Sequence, residues 1–151
     1  MGYLRMLKES ERQGLCVKEK PLEGHKGLIF GKRIAIKKDL TVTERGCVLA
    51  EELGHYYTNH GNILDQSCIK SRKQERRALG WAYEELVPLE SILDAHWAGI
   101  QNKHELAEFL EVTEVFLESA IQYYKEKHGL YYEIKHYLIY FEPLGVYEKI
   151  S

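Results

Sequence analysis

A chain of 151 residues with 44% hydrophobic residues and a formal charge of −2 is sized for one ordinary globular domain, or one with a small appendage. The near-neutral charge removes the global electrostatic case for a nucleic-acid or anionic-membrane binder, and no apolar run approaches the ~18 residues of a membrane helix. Cys16, Cys47 and Cys68, with no C-x-x-C pair, argue against a disulfide framework or a thiolate zinc site and fit a reducing cytoplasm. The N-terminus turns charged at Arg5 and Lys8, too early for a secretory signal.

In chain order, residues 3–12 read as a short charged helix ended by Gly14. Leu15-Cys16-Val17, Gly27-Leu28-Ile29-Phe30 and Arg33-Ile34-Ala35-Ile36 are short β-rich runs. Gly31-Lys32 between the last two is a two-residue hairpin signal, so a small antiparallel sheet is expected. Thr41-x-x-Glu44 is a capping box that opens a helix over residues 42–58. Ser71-x-x-Gln74 repeats the pattern for a helix running to Val87, before Pro88. Further helices are predicted from Pro88 to His96, stopped at Gly99, and over residues 103–110 and 113–128. The tail, residues 130–150, is tyrosine-rich, with Tyr137–Phe141 as a strand candidate. The expectation is an α+β fold: residues 1–99 place a small antiparallel sheet on one prominent helix, and residues 100–151 add a helical extension and the tyrosine-rich tail, packed on the first part.

Within the helix over residues 42–58 each residue advances by about 100°. Val42, Gly46, Leu49, Leu53 and Tyr56 then share a stripe that should face the core. Glu51 and His55, four apart, stand one above the other on a different face, and Glu52 points between the two. Leu49-Ala50-Glu51-Glu52-Leu53-Gly54-His55 therefore reads as a zinc-protease helix of the H-E-x-x-H kind, in which two histidines hold metal and the glutamate activates water. Glu52 is the general base of that reading and His55 its second histidine, while Glu51 stands where the first histidine belongs. Alone, E-E-x-x-H is a weak signal, because glutamate and histidine are common on solvated helix faces. The next helix strengthens it. Glu75 lines up with Leu79, Ala82 and Leu86, and a carboxylate on an apolar stripe needs a metal, an arginine such as Arg72, or solvent. A metal held by the first helix satisfies that need.

Two segments carry a resemblance: Cys47-Val48-Leu49-Ala50-Glu51-Glu52-Leu53-Gly54-His55 and Glu75-Arg76-Arg77-Ala78-Leu79-Gly80-Trp81-Ala82. They resemble the ImmA/IrrE family of zinc-dependent endopeptidases, in its phage or mobile-element branch. The segment from Glu75 is similar to the family's E-x-x-A-x-x-[FW]-A motif, whose glutamate is the third zinc ligand. The resemblance implies a zincin-like fold, zinc as cofactor, a cytoplasmic location, and cleavage of a cognate helix-turn-helix repressor that derepresses a mobile element or stress regulon. Carried over, His55 and Glu75 are zinc ligands, Glu52 is the general base, and Glu51 occupies the first-histidine ligand position.

Carboxylates are competent zinc ligands. Two of them, Glu51 and Glu75, formally cancel the charge of a divalent ion, which then acidifies water and polarises a carbonyl less. Oxygen-richer coordination also relaxes the preference toward manganese or iron. A slow peptidase is expected; the alternative is a catalytically weak or inactive homologue that binds and sequesters the repressor. His25, Cys47 and His60 are substitutes for the missing ligand, though none lies four residues from His55. His96 and Tyr83 are candidate oxyanion stabilisers, residue types more often used for packing.

The segment Glu105 to Thr113, followed by Val115-Phe116-Leu117, has helix-turn-helix spacing. Its second helix opens with Glu114 and Glu118, and carboxylates there repel phosphate. Direct DNA reading is therefore not expected, and these helices are assigned to packing or to docking a protein partner.

Overall fold

The hairpin signalled by Gly31-Lys32 forms between β2 (Gly27–Phe30) and β3 (Arg33–Lys37), paired antiparallel with Phe30 opposite Arg33. Gly31 adopts φ +62, the left-handed conformation that the first central residue of a type II′ turn requires. β1 (Cys16–Lys20) adds to the other side of β3 in parallel, giving the order β1-β3-β2. This computed structural model of the chain describes residues 2–58 and 72–150, which divide into two compact units, Met1–Leu86 and Val87–Ser151. No helix among the described residues is long and apolar enough to cross a membrane.

The first unit is built around α2 (Val42–Thr58), which packs on α1 (Gly2–Arg12), on β2 and β3, and along α3 (Arg72–Leu86). Gly46, Cys47, Val48, Leu49, Ala50, Leu53 and Gly54 are all buried, so α2 is enclosed on more than the one stripe the periodicity predicts. The inward residues of β3, Ile34 and Ile36, meet it from the sheet side. Each large apolar side chain so enclosed contributes about 1.5–3 kcal/mol. Val42, expected on the core stripe, is 63% exposed; it stands in the first turn, ahead of the stretch where neighbouring elements cover the helix. Gly54 faces Ala78 of α3 so closely that a Cβ there would overlap the Ala78 carbonyl group. That bare surface lets the two helices touch backbone to backbone.

The second unit holds α4 (Leu89–Trp97), α5 (Lys103–Leu110) and α6 (Glu114–His128), followed by β4 (Tyr131–Ile134), β5 (Tyr137–Phe141) and β6 (Leu144–Glu148). Asn102 caps α5 by accepting the Glu105 N–H at 2.8 Å, and Thr113 caps α6 by accepting the Phe116 N–H at 3.0 Å. The tail forms an antiparallel meander of three strands where the sequence marked one. Aromatic residues on both faces hide its alternation, and the β4–β5 turn uses Lys135 at φ 55 in place of a glycine or asparagine signal. Ile92, Leu106, Leu117, Ile121, Tyr124, Ile139 and Phe141 form its core.

Candidate functional site

The capping box fixes where α2 begins and so the phase of every later residue on it. The Glu44 N–H donates to Thr41 Oγ1 and the Thr41 N–H donates to Glu44 Oε1, each at 3.1 Å. From that start Glu51, Glu52 and His55 fall at the margin of the buried face. The side chains of His55 and Glu52 are 14% and 12% exposed, well shielded from water but not sealed.

The His55 ring is bracketed by two carboxylates from two helices. Its Nδ1 lies 3.9 Å from Glu52 Oε1 on α2, and its Nε2 lies 3.3 Å from Glu75 Oε1 on α3. Glu75 is half-exposed at 42%, in line with buried Ala82 and Leu86 as the stripe predicts. The approach of Gly54 to Ala78 sets this spacing, because Gly54 precedes His55 and Ala78 lies three residues after Glu75 on the opposing helix.

Glu51 joins the group electrostatically. Burial, then the nearby Glu75 carboxylate, push its carboxyl up to about 7, while the Lys26 ammonium pulls it back. Two carboxylates thus compete for charge beside one imidazole. A model of the IrrE N-terminal-like domain, the M78 peptidases, matches residues 10–122.

The chain belongs to the M78 peptidase family. The matched range takes in the sheet, α2, α3 and the helices as far as α6. No curated protein and no solved structure matches the chain. As a metallopeptidase family, M78 implies a metal and a protein substrate.

The side chains of this M78 domain suit a divalent cation in their chemistry. An imidazole nitrogen and two carboxylates, one of them raised in pKa by burial and then by the other, are donors of the kind a divalent cation takes. Among the described residues, no group of three or more His, Cys, Asp or Glu side chains is placed to hold a metal ion. Of the substitute ligands named from the sequence, His25 is exposed, Cys47 is buried in α2, and His60 lies outside the described residues, as do Cys68 and Ser71. Tyr83 is half-buried on α3. His96 belongs to the second unit, edge-on to Tyr137 with ring centroids 6.0 Å apart.

Sequence reading passed over two residues just ahead of and within β2. Lys26 acts on Glu51 through its charge. Gly27 lies against Glu52: a Cβ built on it would sit 3.2 Å from Glu52 Oε2. A glycine in a strand can mark a place where something approaches the backbone closely, but at the first residue of β2 it does not say what approaches.

Proposed function

We propose that this M78 protein is a metal-dependent endopeptidase that cleaves a helix-turn-helix repressor and so derepresses a mobile element or stress regulon. The observation that carries the reading is the His55 imidazole standing between Glu52 of α2 and Glu75 of α3. His55, Glu75 and Glu51 would hold the metal, zinc in the first instance, with manganese or iron suited to the extra carboxylate. When bound, the metal supplies Lewis acidity toward water and the scissile carbonyl.

The chain's own residues do the rest. Glu52, shielded from bulk water, takes a proton from the attacking water and returns it to the leaving amine. Lys26 tempers the negative charge that Glu51 brings. Elemental analysis of protein purified without chelator tests the metal: near-stoichiometric content, lost in His55→Ala, is expected. Cleavage of candidate helix-turn-helix repressors tests the chemistry, and undiminished cleavage by Glu52→Gln would sink the mechanism.

A second reading is favoured by Glu51 at the first-histidine position: a catalytically weak or inactive homologue that binds and sequesters the repressor. Metal-free protein that binds repressor without cutting it would select this reading.

A further inference from the structure

We infer that Gly27 is a positioning residue for the Glu52 carboxylate, an inference that rests on the peptidase reading. β2 is an edge strand of its sheet, paired with β3 through Gly27↔Ile36 to Phe30↔Arg33. Along it Gly27 and Ile29 are half-buried while Leu28 and Phe30 are exposed, so the Gly27 position points inward. There it meets Val48 and Glu52, four apart on α2 and therefore stacked one turn over the other. A Cβ on residue 27 would stand 2.5 Å from Val48 Cγ1, 3.2 Å from Glu52 Cγ and 3.2 Å from Glu52 Oε2.

The Glu52 side chain thus runs along bare strand backbone, with Oε2 against Gly27 and Oε1 3.9 Å from His55 Nδ1. One oxygen lies against the sheet and the other faces the imidazole. A side chain at position 27 makes the Glu52 carboxylate give by a few tenths of an ångström. A misplacement of about 1 Å can cost on the order of 100-fold in rate, so a shift of a few tenths of an ångström should cost a few-fold.

Two contacts are involved and they can be separated. Gly27→Ala alone also collides with buried Val48, which confounds folding with positioning. Val48→Ala removes that collision, and the pair Gly27→Ala/Val48→Ala leaves only the crowding of Glu52.

The experiment compares the double variant with Val48→Ala in the full chain. Protein labelled with 13C at glutamate carboxyls, with Glu52 assigned by its loss in Glu52→Gln, reads the carboxylate directly in the metal-free state. Repressor cleavage reads its consequence. The expected result is a displaced Glu52 resonance, metal content equal to that of Val48→Ala, and a kcat lower by a few-fold with KM unchanged. A Glu52 resonance coincident with that of Val48→Ala, or an equal kcat, overturns the inference. If the wild type cuts no repressor, the peptidase reading falls by itself and the carboxyl resonance alone decides the role of Gly27.

Discussion

Gly54→Ala puts a methyl group where the backbone of Ala78 already stands. The new Cβ would lie 2.9 Å from the Ala78 carbonyl carbon and 3.4 Å from its Cα, and closer still to its oxygen. The obstruction is main chain of a packed helix, which cannot swing aside as a flexible side chain can, so α2 and α3 must part. Overpacking of this kind costs typically 1–3 kcal/mol, and a backbone obstacle belongs at the upper end, about 3 kcal/mol. Alanine returns about 1 kcal/mol through its better helix propensity. The net loss expected is about 2 kcal/mol, or roughly 4–8 °C in melting temperature for a chain of this size. Melting followed by circular dichroism, with chelator in both samples so that metal loss does not contribute, measures it. The same parting of helices lengthens the 3.3 Å approach of His55 to Glu75, so metal affinity should fall with stability. A variant as stable as wild type would show that propensity outweighs the clash, and the account of how these helices fix the site would be wrong.

Glu51→Gln should stabilise the metal-free protein in alkali and leave it unchanged in acid. The Glu51 carboxyl is raised from 4.5 to about 7, so its contribution is fully present below the unfolded value and is lost as the pH climbs through about 7. The gain at about pH 8 is at most about 3 kcal/mol, and denaturant curves that differ equally at both ends of the range would contradict it. Thr41→Ala should cost about 1 kcal/mol by removing half of the capping box, and should also raise the Glu44 carboxyl, which the Thr41 N–H and hydroxyl hold down. His104, between Glu114 at 3.1 Å and Glu108 at 2.7 Å, is raised above 6.5, first by its hydrogen bond to Glu114. Any stability it adds is present below the unfolded value and is lost as the pH rises through the folded one. In NMR titration Glu114→Gln should lower the His104 midpoint, and an unmoved midpoint would deny the contact.

What the sequence revealed were the features with a local cause. The capping box at Thr41 and Glu44, the turn at Gly31-Lys32 and the helix over residues 103–110 are written in neighbouring residues, and the chain folds them as read. The sequence showed that Glu75, a carboxylate on an apolar stripe, needs a metal, an arginine or solvent; that its carboxylate stands 3.3 Å from His55 Nε2 could be seen only once the two helices were placed. The role of Gly27 was not legible, since its meaning depends on Val48 and Glu52 arriving from another element. The meander of β4 to β6 escaped for a different reason: tyrosines on both faces blur the period of two on which strand recognition depends.

The helix that holds Glu51, Glu52 and His55 is also the one most thoroughly enclosed by its unit, with seven residues from Gly46 to Gly54 buried. Amides in such a segment open only when the whole unit does. The backbone beneath these side chains should therefore be among the last to exchange its hydrogens for deuterium, and it needs no ordering step when a substrate arrives. Evolution of the site is constrained to match. A change at Leu49 or Leu53 must answer to folding first, whereas a half-buried position such as Glu51 can be rewritten while the framework stands.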